Sequence, residues 1–197
     1  DGKFNDTSEI TINITNVNDI SPVISSSATF SAAENQTSIG TVEAADEEGD
    51  DLTYSISGSE ITISSSGVLT FVASPDYETK TTYTATVTVT DTDDNSATQE
   101  ITVNVTNVND NNPVFTSNSI FSVAENESSI GTATATDADG DDVTFTVSGS
   151  ELEITSAGVL TFVTAPDYET DTSFTATVTA SDGTNSTTQD ITVNVTN

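Results

Sequence analysis

Cysteine, histidine, tryptophan and methionine are all missing from this chain of 197 residues, and lysine and arginine together number 2. Without cysteine there is no disulfide, no thiolate zinc site and no cysteine nucleophile. Without histidine the commonest general base and the imidazole metal ligand are gone. Two cations cannot neutralise a run of phosphates, so nucleic acid is excluded as a partner, and an anionic membrane surface fails for the same reason. No run of 18 apolar residues is present to span a bilayer, and no basic-then-apolar leader opens the fragment. No membrane insertion is expected of it. These absences remove most enzyme mechanisms, and the chain is read as a non-enzyme. What is abundant is acid: 32 Asp and Glu, for a formal charge of −30.

High charge with modest hydrophobicity is the composition of disorder, yet the patterning argues for a fold. Thr82-Tyr83-Thr84-Ala85-Thr86-Val87-Thr88-Val89 and Ile101-Thr102-Val103-Asn104-Val105 alternate apolar with hydroxyl or amide side chains. A period of two marks strands with one face buried and one face wet. No stretch has helical spacing, so the chain reads as all-β.

The chain also repeats itself. Ala33-Glu34-Asn35 returns as Ala124-Glu125-Asn126, and Pro75-Asp76-Tyr77-Glu78-Thr79 returns at Pro166 to Thr170, both 91 residues on. Ile101 to Asn107 returns at Ile191 to Asn197 with an offset of 90, and the phrase appears earlier, with Ile for Val, at Ile10 to Asn16. A unit of this length with about seven short strands suits a sandwich of two antiparallel sheets. Residues 1–19 then read as the closing strand and linker of a preceding repeat, 20–110 as one whole repeat and 111–197 as a second, a slice of a longer array. Strands are expected near 28–33, 39–45, 52–57, 60–64, 68–72, 81–90 and 97–106, with counterparts 90 to 91 residues on. Phe30, Ile39, Tyr54, Ile56, Leu69, Phe71, Tyr83, Val87, Ile101 and Val103 are the expected first core, and their counterparts the second.

Carboxylates sit in short repeated phrases at the ends of the units. In extended chain, residues i and i+2 share a face, so Asp76 and Glu78 can converge, as can Asp137 and Asp139. The linker Asn107-Val108-Asn109-Asp110-Asn111 offers carboxylate, amide and carbonyl oxygens within a few residues. Calcium accepts six to eight such oxygens in irregular geometry, whereas magnesium demands a tighter octahedron. Zinc and copper lack their nitrogen and sulfur ligands. Asp137-Ala138-Asp139-Gly140 is not an EF-hand loop, because the sixth position is not Gly and the twelfth is Ser148.

At these residues the chain resembles cadherin repeats, most closely the bacterial cadherin-like repeats of large surface adhesins. Asn109-Asp110-Asn111-Asn112-Pro113-Val114-Phe115 looks like that family's interdomain linker, and Ala33-Glu34-Asn35, Asp76-Tyr77-Glu78, Asp137-Ala138-Asp139 and Asp182 fall where its other calcium motifs lie. The resemblance implies tandem seven-stranded Greek-key, Ig-like or cadherin-like β-sandwiches, with about three calcium ions at the 110/111 junction. Glu34, Asp76, Glu78 and Asp110, with the Val108 carbonyl, would surround two of them, and Asp139 would bridge into the second. Asn109, Asp137, Asp139 and Asp182, with carbonyls of Asn111 and a residue near Gly140, would hold the third. Seven carboxylates against three divalent ions leave the junction about one charge from neutral.

Departures from the family pattern lie in the linker's first residue, Asn107 where Asp is usual, and in Pro75-Asp76-Tyr77-Glu78, which keeps both carboxylates and drops an Arg. Asn18, Asp46, Glu48 and Asp91 could hold at most one weak ion at the first unit's top. Glu125, Asp167 and Glu169 lack a linker Asp and should be mostly empty. The resemblance implies a secreted or surface-anchored bacterial protein whose calcium-filled linker stiffens an array of extender modules. The alternative is a module that binds a polysaccharide or another cadherin-like array. Without Trp, neither strand-swap adhesion nor a sugar platform is favoured. The threonine rows Thr84-Thr86-Thr88-Thr90 and Thr175-Thr177-Thr179 read as the wet faces of strands.

Overall fold

The structure is a computed structural model describing residue 2, residues 8–15 and residues 17–197. Part of the closing strand expected over residues 1–19 therefore lies outside the described residues. Residues 8–15 carry no strand, and Ile10, Ile12 and Ile14 are exposed. The chain divides into two compact units, with the division between Thr106 and Asn107.

In the first unit alternating segments become β1 (Val23–Ile24), β2 (Thr29–Ala33), β3 (Ser38–Thr41), β4 (Ala44–Ala45), β5 (Thr53–Ile56), β6 (Ile61–Ile63), β7 (Val68–Phe71), β8 (Thr82–Thr90) and β9 (Ser96–Thr106). They form a four-stranded sheet in the order β2-β9-β8-β5, a three-stranded sheet β3-β7-β6 and a short β1-β4 ladder. The second unit repeats this with β10 (Val114–Phe115), β11 (Ile120–Ala124), β12 (Ser129–Thr132), β13 (Ala135–Thr136), β14 (Thr144–Val147), β15 (Leu152–Ile154), β16 (Val159–Phe162), β17 (Ser173–Ser181) and β18 (Ser186–Thr196).

Two features differ from the sequence-based expectation. The strand expected over 39–45 is divided, because Val42 turns inward to 1% exposure and its N–H bonds to the Gly67 carbonyl at 2.8 Å. β3 then pairs with β7, while β4 pairs with β1. The larger sheet is also not purely antiparallel. β2 runs parallel to β9, with Phe30 opposite Val103 and Ala32 opposite Val105, and β11 runs parallel to β18 in the same way.

Alternation does the rest. Along β8, Ala85, Val87 and Val89 are buried while Thr82, Thr84 and Thr86 face out. Thr84 and Thr88 lie opposite Thr102 and Thr98 of β9 on the outer face, where β-branched side chains pack against one another across the strands. Each unit owns its core: Leu69, Ile101, Val87 and Val103 in the first, and Leu160, Ile191, Val178 and Val193 in the second, all essentially inaccessible. Phe30, Ile39, Tyr54, Ile56 and Tyr83 pack on the first core while remaining partly exposed. Phe71 meets Tyr83 edge-on at 4.9 Å, and Phe162 meets Phe174 likewise at 4.9 Å. The turn into β16 depends on Gly158, whose φ is +87°. A Cβ there would stand 2.1 Å from the Ala133 carbonyl oxygen, so both the dihedral and the close approach require glycine.

Candidate metal centres

The chain of the first unit turns at Asn35, whose φ of 63° is one that Asn tolerates. That turn follows β2 and carries Glu34 inward to 3% exposure. Glu34 N–H donates to the Thr106 carbonyl at the end of β9, and Asn35 N–H to the Pro75 carbonyl. The Glu34 carboxylate accepts the Tyr77 N–H at 2.8 Å. A carboxylate oxygen of Glu78 comes within 4.8 Å of one on Glu34. Asp76, the third acidic residue expected at this end, holds the local turn. Its carboxylate accepts the Thr79 N–H at 3.2 Å and the Thr79 hydroxyl at 2.9 Å, fixing the turn that presents Glu78.

At the opposite end of that unit, Asp46, Glu48 and Asp50 bring carboxylate oxygens within 4.8 Å of one another. Glu48 accepts the N–H groups of Asp19 and Ile20 at 2.9 and 3.0 Å, so the longer side chain ties down the incoming chain. Asp91 is buried and accepts the N–H groups of Asp93 and Asn95, each at 2.9 Å. The Asn95 amide bridges Asp91 to the Asn18 side chain at 2.8 and 3.1 Å.

The second unit has the same arrangement with its linker in place. Asp139 Oδ2 accepts the N–H groups of Asp110 and Asn111 at 3.0 and 2.8 Å, and Asp139 Oδ1 accepts the Asn111 amide at 2.9 Å. Oxygens of Asp110 and Asp139 lie within 4.8 Å of each other, as do those of Asp137, Asp139 and Asp141. Asn107 donates its side-chain amide to the Asp139 carbonyl at 2.8 Å. Asp182 Oδ1 accepts the Thr184 and Asn185 N–H groups at 2.7 and 2.6 Å. The Asn185 amide reaches the Asn109 side chain at 2.6 Å and the Asn111 carbonyl at 3.1 Å. Gly140, with φ of +85°, makes the turn between Asp139 and Asp141. Val108 is 41% exposed.

Asn185 and Asn95 are structural members of these clusters that the sequence reading missed. The signal was present: each follows its aspartate by three or four residues, at Asp182 and Asp91. Asp141 and Asp50, which add a third carboxylate to Asp137-Ala138-Asp139 and to Asp46-Glu47-Glu48, were also missed. At the far end, Glu125, Asp167 and Glu169 do cluster, although Asp167 is committed to capping Thr170.

The donor set fits a hard cation. Every atom in these clusters that could ligate a cation is an oxygen, and three buried carboxylate oxygens have no hydrogen-bond partner: Asp46 Oδ2, Asp137 Oδ2 and Asp182 Oδ2. A desolvated anionic oxygen without a donor is costly unless a charge compensates it. Burial, followed by the charges of Asp137, Asp182 and Asp139, raises the pKa of Asp141, and burial with Asp46 raises that of Asp50. Burial also pushes Asp182 and Asp91 upward, but hydrogen bonds from Asn185 and Thr184, and from Asn95 and Asp93, outweigh it and leave both lowered.

The signs fix a pH response in chelator. Asp91 and Asp182 stabilise the fold above the ordinary aspartate pKa and lose that contribution as pH falls through their lowered values. Asp50 and Asp141 destabilise it at neutrality and are relieved as pH falls through their raised values. Urea unfolding at a series of pH values should therefore show stability rising on mild acidification and then collapsing. A monotonic fall from neutrality would contradict this assignment.

Two all-β sandwiches in tandem, each with a four-stranded and a three-stranded sheet, define a class: Ig-like β-sandwich repeats. Within it, the chain belongs to the bacterial Ig domain family, which matches residues 18–104 and again residues 109–196. No curated protein matches the chain. Among solved structures it is similar to mouse cadherin-23 EC22-24, with a TM-score of 0.77 and 20% identity over 90% of this chain and 67% of that one. It is similar also to human protocadherin-24 EC1-2 (form II), with a TM-score of 0.76 and 21% identity over 91% of this chain and 99% of that one. Drosophila N-cadherin EC1-4 gives 0.72 and 20% identity, over 90% of this chain and 50% of that one. At these identities the likeness is one of fold, the expected cadherin-like tandem repeat. Among the described residues no helix is long and apolar enough to cross a membrane.

Proposed function

We propose that this chain consists of calcium-binding extender modules of a secreted or surface-anchored bacterial adhesin, in which metal held by the linker stiffens the array. The observation that carries the reading is the pair of buried, unpartnered oxygens Asp137 Oδ2 and Asp182 Oδ2, set among Asp139, Asn109 and the Asn111 carbonyl. Those atoms need a cation and no basic side chain is among the groups named there. Asn109, Asp137, Asp139, Asp182 and the Asn111 carbonyl hold one ion in this reading. Glu34 and Glu78 at the end of the first unit, with Asp110 in the linker, supply the others. Repulsion among these carboxylates opens the linker when metal is withdrawn, and about three calcium ions remove it. Affinity is expected at about 10⁻⁴–10⁻³ M, as in other extracellular modules, so the array stiffens outside the cell.

Small-angle scattering with calcium and with chelator tests the mechanism. The calcium-loaded chain is expected to show the larger maximum dimension and the narrower distance distribution. Glu34→Ala combined with Asp110→Ala should erase most of that difference. A double variant that still extends fully in calcium would refute linker stiffening.

A further inference from the structure

The two units treat one groove in opposite ways. In the first, Lys80 lies across it: its ammonium is 2.6 and 2.7 Å from the two carboxylate oxygens of Glu60 and 4.2 Å from the centre of the Tyr83 ring. The frame beneath is built by Lys80 N–H donating to the Asp76 carbonyl and Val72 N–H to the Glu60 carbonyl, both at 2.9 Å. In the second unit that frame recurs bond for bond, with Asp171 N–H on the Asp167 carbonyl at 3.0 Å and Val163 N–H on the Glu151 carbonyl at 2.9 Å. Glu60 becomes Glu151 and Tyr83 becomes Phe174, 91 residues on in each case, and the aromatic floor of Phe162 and Phe174 keeps its geometry. The position of Lys80, however, is taken by Asp171. The cation is gone, its carboxylate and aromatic partners remain, and a second carboxylate has been added. A cavity of about 310 Å³ opens there, lined by Glu151, Phe162, Thr170, Asp171 and Phe174 among others.

We propose that this groove of the second unit receives a lysine side chain from a partner polypeptide, its methylenes on Phe174 and its ammonium between Glu151 and Asp171. The first unit supplies the template for the contact, since Lys80 makes it within the chain. Charge selects the partner. With a net charge of −30 and only 2 cationic residues, this chain attracts basic surfaces and has almost no lysine of its own to offer. An ammonium over an aromatic face adds an attraction that a neutral chain of the same length lacks. Asp167, of the far-end carboxylate cluster, also lines the groove, but neither Glu151 nor Asp171 belongs to any proposed calcium site, so the variants that test the groove leave the metal centres intact.

A single lysine in a half-open groove binds weakly, and chemical-shift titration of the full, calcium-loaded chain reads it. The probe is Nα-acetyl-lysine methylamide, with the norleucine analogue as the uncharged control. Shifts are expected at the Phe174, Thr170 and Val163 amides with the lysine probe only. Asp171→Lys, which copies the first unit, should fill the groove from within and weaken binding at least about tenfold. Lys80→Asp should open the first groove, so that a second set of shifts appears around Tyr83. Equal shifts with the norleucine probe, or unchanged binding in Asp171→Lys, would overturn the proposal. So would a concentration-dependent dimer, seen by sedimentation, that Lys80→Ala abolishes, because the occupant would then be a second copy of this chain.

Discussion

Calcium at about 100 times its dissociation constant is expected to raise the unfolding midpoint of the second unit by roughly 10–20 °C, and Asp182→Asn to remove most of that rise. A ligand that binds only the folded state at that excess adds about 2.7 kcal/mol. For a domain of this size each kcal/mol moves the midpoint by about 4–8 °C. With a dissociation constant near 10⁻⁴ M, about 10 mM calcium supplies the excess. Asparagine is the informative replacement. It retains an oxygen for the Thr184 and Asn185 N–H groups that Asp182 Oδ1 now serves, so the turn survives. It loses the anionic charge on the buried, unpartnered Oδ2. Differential scanning calorimetry in calcium and in chelator checks both arms, and a wild-type midpoint indifferent to calcium would remove the basis for a metal centre in this unit.

Leu160→Ala is expected to cost about 2–5 kcal/mol, which is large against the roughly 5–15 kcal/mol that holds a domain folded. Leu160 has 0% exposure and sits mid-ladder on β16, opposite Gly131 on one side and Ile154 on the other. Neither glycine nor the regular strand beside it can move in to fill the space, so most of the cavity persists. The two units have separate cores. The loss should therefore lower one calorimetric transition and leave that of the first unit near its original position. A single transition that shifts as a whole would show that the units unfold together.

Much of the fold was legible because a period of two states directly which residues face inward. Val87, Val103, Leu160 and Ile191 were placed in their cores on that ground alone, and the structure buries them. Alternation is silent about small residues and about partners. Ala85, Ala133 and Ala180 are core residues, yet alanine carries too little apolar area to stand out among threonines. β1 and β10, with two residues each, are too short to have a period. The parallel course of β2 beside β9 was not readable either, since the facing of side chains is the same whichever way a neighbouring strand runs. For the candidate centres, repetition singled out Glu34, whose phrase Ala33-Glu34-Asn35 recurs 91 residues on, whereas Asp139 and Asp182 were named through the family resemblance. Asn95 and Asn185 were passed over because an asparagine after an aspartate reads as ordinary turn chemistry. Only the fold shows their amides reaching across to Asn18 and Asn109.

The parallel pairing of β2 with β9 has a mechanical corollary. Thr29 lies opposite Thr102 and Ala33 opposite Thr106, so the first long strand and the last point the same way. A pull on the two ends of one unit tries to slide these strands past each other along their length. All rungs of the ladder then bear the load at once, whereas a hairpin pulled from its open end unzips rung by rung. A module wired in this way resists tension by shear.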